Sequence, residues 1–279
     1  MRDPDLYPPV PTVLPALAWV AAVVGIAGQI GYPLCDTPTQ TLLTGLTVTA
    51  FFLAMAAATC ATFGPARGLP AIAVGCVLSW TVELLGARTG FPFGDYRYTG
   101  SLRPTLAGVP VIVPLAWTAM ALAALAVARR LFGARWLAVA LVGGGALASW
   151  DIFLDPQMVA AGHWSWRDPQ WTLPGVRGIP LSNFAGWLVV AVLLVGLLAR
   201  ILPANPPLFG ELRPVGRSTW ALVAGTVYLW TYGSELLAGF AFFHRPAVAV
   251  VGGVLMGAFA IPYVCRLASP YAFYLRLPR

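Results

Sequence analysis

Eight runs of mostly apolar residues, each close to the length that crosses a bilayer, leave this chain few folds to choose from. A helix needs about 20 apolar residues to span the hydrocarbon core. The runs fall at roughly 13–31, 41–63, 69–87, 109–128, 134–154, 181–202, 218–239 and 246–267 of 279 residues. The expected fold is therefore all-α: a polytopic membrane protein of about eight transmembrane helices. Composition agrees, with 59% hydrophobic and only 10% charged residues. An average soluble domain carries about 25% charge. A soluble globular fold is excluded, and so is disorder, which needs low hydrophobicity and high charge. No break in composition marks a second domain. Residues 1–279 read as a single integral membrane domain whose chemistry-bearing core lies at about 69–202.

The net charge is +7, from 17 basic residues, all of them Arg, against 10 acids. The arginines are scattered between apolar runs and form no stripe that would neutralise a phosphate backbone, so nucleic acid is not an expected partner. Lipid headgroups are. With the N-terminus inside, the inner segments hold Arg2, Arg67, Arg129, Arg130, Arg135, Arg200, Arg213, Arg217, Arg266, Arg276 and Arg279. The outer links hold Arg88, Arg97, Arg103, Arg167, Arg177 and Arg245. This excess places both termini in the cytoplasm. Met1 to Pro11 carries Asp3 and Asp5, a poor signal-peptide start, so the first apolar run is expected to be retained. Cys35, Cys60, Cys76 and Cys265 form no CxxC and imply neither a disulfide nor thiol chemistry.

The acids gather on one side. Glu83 lies near the end of the third run, Asp151 and Asp155 at the end of the fifth, and Glu235 near the end of the seventh. Odd spans emerge on the same face. Two long links, Arg88 to Gly108 and Pro156 to Pro180, leave from that face and add Asp95, His163 and Asp168. Asn183, opening the sixth run, falls there too. This placement follows from parity alone and holds whichever side is outside. An ionisable group in a span is costly and marks a functional site by default. Asp151 and Asp155 are four apart and share one helix face. Two like charges so close do not both ionise readily, which suits a general acid beside a general base. The alternative is that the carboxylates pair with Arg88, Arg97, Arg167 or Arg177 and only fix the links.

Phe91, Phe93, Tyr96, Tyr98, Trp164, Trp166 and Trp171 concentrate in the two acid-bearing links. An ordinary interfacial belt accounts for many aromatics, but aromatic faces also stabilise cations. Acids beside aromatics at a membrane face suit protonation of a C=C bond and shelter of the resulting carbocation. Nucleotide-binding GxxxxGK[ST], zinc-protease HExxH and acidic diphosphate–magnesium runs are missing, and two histidines are too few for a histidine-rich iron cluster. No metal and no cofactor are expected. His163 reads either as a proton shuttle or as a hydrogen-bonded interface residue beside Trp164. Pro156, directly after Asp155, suits a chain leaving its helix.

Four stretches of the sequence carry a family resemblance: ELLGARTGFPFGDYRY at 83–98, AGVPVIVPLAW at 107–117, WDIFLDPQMVAAGHWSW at 150–166 and GIPLSNFAGW at 178–187. They resemble the membrane-bound carotenoid biosynthesis proteins, the carotenoid 1',2'-hydratases of the CruF type, bisanhydrobacterioruberin hydratases included. The combination of PFGxYxY, DxxxDPxMxxxGxWxW and GIPxxNFxGW is specific, although the first two and last two spans carry no matching signature. The resemblance implies a bacterial or archaeal cell-membrane enzyme that adds water across the terminal C=C of an acyclic carotenoid ψ-end group, with no redox cofactor. Its substrate would lie in the bilayer, and other enzymes of the same pathway are candidate partners.

On that reading Asp151 or Asp155 gives a proton to C-2, and a tertiary cation forms at C-1. Glu83 or Asp95 orients the attacking water. Phe93, Tyr96, Tyr98, His163, Trp164, Trp166, Asn183, Trp187 and Glu235 complete the expected substrate site. Two rivals use the same residues. A lycopene-type cyclase would let a neighbouring double bond capture the cation. A non-catalytic carotenoid-binding or transport protein would do no chemistry. Acids at one end of the bundle argue against transport, which places coupling acids near the midplane.

Overall fold

The computed structural model describes residues 13–169, 171–204 and 218–268. The segment 1–11 and Arg2, Arg213, Arg217, Arg276 and Arg279, all used above, lie outside the described residues. Eight helices run through the rest: α1 (Val13–Gly31), α2 (Thr37–Phe63), α3 (Pro65–Thr89), α4 (Ile112–Phe132), α5 (Trp136–Ala160), α6 (Leu181–Ile201), α7 (Thr219–Ala241) and α8 (Pro246–Ala268). Among the described residues, seven of them are long and apolar enough to cross a membrane. The remaining helix, α7, has 23 residues but carries Thr231, Ser234 and Glu235, and this polarity has a structural destination described below.

The core is built around α4. It touches α2, α3, α5, α6, α7 and α8, and every residue from Trp117 to Ala128 is buried. A helix buried on all sides has to be apolar all round. Here it is also alanine-rich, which lets neighbouring backbones close in. At the opposite end from the acids, Arg129 at the close of α4 donates to the carbonyls of Pro203 (3.0 Å), Ala199 (3.2 Å) and Leu202. It thereby satisfies carbonyls that the end of α6 leaves free. Val20, Val23, Leu193, Val254 and other large apolar side chains point outward, as a lipid-facing surface requires.

One expectation needs correction. The fifth helix does not end before Asp155 but continues to Ala160 with Pro156 inside it. Proline removes one ladder donor but does not forbid a further turn where tertiary contacts hold it, and Arg245 Nη1 donates to the Pro156 carbonyl at 3.0 Å. The two long links form short strands, which hydropathy along the chain did not indicate. The first forms β1 (Tyr96–Tyr98), then the hairpin of β2 (Thr105–Leu106) and β3 (Val109–Pro110). The second forms β4 (Trp164–Trp166), then β5 (Thr172–Leu173) paired with β6 (Val176–Pro180). β1 and β4 pair antiparallel, Tyr96 against Trp166 and Tyr98 against Trp164, so the links lock together across the end of the bundle.

Candidate functional site

Strand alternation explains how the links present their aromatics. Successive side chains on a strand point to opposite faces. Tyr96 and Tyr98 therefore turn inward while Arg97 between them is exposed. Trp164 and Trp166 face the same way from β4. Gly90, in the left-handed region at φ 77°, ends α3 and turns the chain into this ribbon, a position that glycine takes without steric cost. Gly86 and Gly186 let the ribbon sit close. A Cβ on Gly86 would stand 2.8 Å from the Phe93 ring, and one on Gly186 would stand 2.8 Å from the Pro92 carbonyl oxygen.

Beneath the ribbon lies a cavity of about 160 Å³. Phe93, Tyr96, Tyr98, Trp164, Trp166, Asn183, Trp187 and Glu235, all expected at the site, line it. So do Glu83 and Asp155. Trp117 and Trp150 also line the wall. The Trp117 and Trp187 rings stack 3.6 Å apart at 15°, with Trp150 edge-on to Trp187 at 6.1 Å. Nothing in the sequence singled out Trp117, although it closes one of the family-like stretches.

Glu83 is held by three donors. The Tyr96 and Tyr98 hydroxyls each donate to Oε2 at 2.6 Å, and the Trp117 indole N–H donates to Oε1 at 2.9 Å. An indole N–H can only donate, so Oε1 is fixed as an acceptor. Burial and the adjacent Glu83 charge hold both phenols well above their ordinary range, which keeps them as donors.

The second acid site is built differently. Asn183 Nδ2 donates to Asp151 Oδ2 at 2.8 Å and to Asp155 Oδ2 at 2.5 Å, so one amide nitrogen bridges two carboxyl groups. Trp164 Nε1 donates to Asp155 Oδ1 at 3.0 Å. Among the described residues Asp151 Oδ1 has no hydrogen-bond partner, and Asp151 is fully buried. Asp155 lines the cavity while Asp151 stands behind it. Phenol, indole and amide donors therefore hold Glu83, Asp151 and Asp155, and among the described residues no arginine does.

Besides Asp151, which stands behind Asp155, two expected site residues do not line the cavity. Asp95 lies on the outer side of the ribbon, 64% exposed, with Arg167 Nη1 at 3.6 Å. Among the described residues, the ion-pair alternative holds for this acid. It sits at the odd position beside Tyr96, so the alternation that turns Tyr96 in turns Asp95 out. His163 is buried but packs against the link rather than the cavity. Its Nδ1 is 2.8 Å from Ser101 Oγ, and burial pushes the imidazole below its ordinary range, which favours a neutral ring.

These residues sit inside a region with known relatives. Residues 43–259 match the family model for carotenoid biosynthesis proteins. Bisanhydrobacterioruberin hydratase of Haloarcula japonica is 37% identical over 134 residues, which cover 46% of this chain and 44% of that protein. The alignment thus spans less than half of that relative. No solved structure matches the chain. The family match extends over most of the sequence and takes in α3, both links, α5 and α6, the elements that carry Glu83, the aromatic ribbon, the aspartate pair and Asn183; the chain belongs to the carotenoid biosynthesis protein family.

Proposed function

We propose that the protein is a carotenoid hydratase, which adds water to the terminal C=C of an acyclic ψ-end group and yields a tertiary 1-hydroxy carotenoid. The observation that carries this reading is a carboxyl group, Asp155, buried on the wall of an apolar, aromatic cavity and backed by a second carboxyl that shares its only amide donor. Named hydratase activity in a relative supports the same reaction class.

In the proposed sequence Asp155 protonates C-2, because it is the member of the pair that faces the cavity. Asp151 and Asn183 act behind it as positioning groups, sharing the proton and fixing the carboxyl. The tertiary cation at C-1 lies against the faces of Trp164, Trp166, Tyr96 and Phe93. Water adds to C-1 and its surplus proton returns to the Asp155 carboxylate, so alkene and water become alcohol with nothing left over. Glu83 takes no proton in this scheme. Saturated by three donors, it locks the two tyrosines and Trp117 into the cavity wall. No cofactor is required. A carotenoid is about as long as the hydrocarbon core is thick, about 30 Å. A transbilayer substrate would therefore bring its end group to the face where these acids lie. The arginine excess supports a reading in which the opposite side of the membrane is cytoplasmic.

Expression in a bacterium that makes lycopene and γ-carotene, followed by chromatography and mass spectrometry of the pigments, tests the proposal. A product heavier by one water, with a tertiary hydroxyl at the ψ-end, is expected. An isomer of unchanged mass with a new ring would assign the cyclase reaction instead. Unaltered pigment, with the protein present in the membrane, would favour the non-catalytic binding role.

A further inference from the structure

The cavity has a second polar wall that the acid chemistry does not use. Thr231, Ser234 and Glu235 on α7 all line it, as does Gln157 one turn before the end of α5. Positions 231, 234, 235 and 238 follow the spacing of one helix face, and all four border the cavity. The polarity that makes α7 the least membrane-like helix is therefore turned inward. Thr231 is 2% exposed, and among the described residues its hydroxyl has no hydrogen-bond partner. A buried polar atom left alone costs about 1–3 kcal/mol, so an unpartnered hydroxyl on a residue that borders the cavity signals a polar ligand. Tyr32 lines the same cavity, and Arg245 is tied to the Pro156 carbonyl next to Asp155.

We infer that Thr231, Ser234, Glu235 and Gln157 form the site that admits and holds the water consumed in hydration, separate from the acids that generate the cation. This inference rests on the hydratase reading. A polar pocket with two to four partners is what an internal water requires, and the wall carries hydroxyl, carboxyl and amide groups together. The chemistry also demands such a separation. Water held beside Asp155 before protonation would level the acid, whereas water arriving too late would let the cation lose a proton and revert to alkene.

That reversion supplies the test. The full-length protein, in membranes or detergent, is given lycopene in D2O buffer, and both recovered lycopene and hydrated product are analysed by mass spectrometry. Protonation by an exchanged acid puts deuterium on C-2. Proton loss then returns labelled alkene, while water capture gives alcohol. In the wild type, alcohol should dominate. In Thr231→Val, and more strongly in Thr231→Val with Glu235→Gln, alcohol formation should fall about tenfold while labelled lycopene persists, raising the ratio of exchange to hydration. Thr231→Ser should restore the wild-type ratio. An unchanged ratio in the double variant, or parallel loss of exchange and hydration in a variant whose melting temperature is unaltered, would overturn the inference. If the double variant does not fold, the single Thr231→Val and Ser234→Ala proteins decide by the same ratio. A wild type that neither hydrates nor exchanges would sink the hydratase reading itself, a result distinct from a wild type that hydrates with an unmoved variant ratio.

Discussion

Two carboxyl sites share one cavity wall, and they are built in opposite ways. Glu83 receives three donors from Tyr96, Tyr98 and Trp117. Asp151 and Asp155 receive one shared amide donor and one indole, with an oxygen of Asp151 left over. A fully satisfied buried network is rigid and specifies a unique core, while a partly satisfied one retains chemical freedom. The difference teaches that burial alone does not make a carboxyl reactive. On the proposed mechanism, the count and type of its donors decide whether it anchors a wall or exchanges a proton.

The sharpest way to break this comparison is Asp155→Asn. It should lower hydration by about 10²–10⁴-fold, the range for losing a general acid, while pigment binding and melting temperature stay near wild type. If Asp155→Asn remains active, the acid has been misplaced. Asn183→Leu comes next. Without the bridging amide the two carboxyls lose their common donor, and activity should drop on the order of 10²-fold, the scale of a misplaced reacting group. A carotenoid absorption spectrum shows whether substrate still binds. Glu83→Gln sharpens the other side. The amide nitrogen brings a donor where one is already supplied, so the network should lose about 1–3 kcal/mol. That loss would appear as a lower melting temperature in detergent, with a smaller effect on turnover than either change above. Smallest of all is Asp95→Asn. An exposed ion pair contributes about 0–1 kcal/mol, so product yield should not change. A large loss would return Asp95 to the chemistry.

Much of the site was legible before the fold. Parity alone brought Glu83, Asp155 and Glu235 to one face, and the cavity that all three line bears this out. The aromatic links were visible in composition, and the Tyr96-x-Tyr98 and Trp164-x-Trp166 spacing already held the period of two that makes them strands. That signal is only three residues long on each side and becomes structure only when the two links meet. Asp95 shows the cost of missing it, because an alternation of two also sends every second residue outward.

Hydrophobic length and composition determined the membrane class and the helices, since a bilayer imposes its thickness on each span independently of the others. The four-residue interval likewise put Asp151 and Asp155 on one helix face. Only the tertiary structure decided that Asp155 faces the cavity and Asp151 stands behind it, that Trp117 from α4 reaches Glu83 on α3, and that Asn183 from α6 bridges both aspartates. It also decided that the polar residues of α7 turn inward. Each of those facts is a contact between helices far apart in sequence, and hydropathy along a single span carries no information about which neighbour its face will meet.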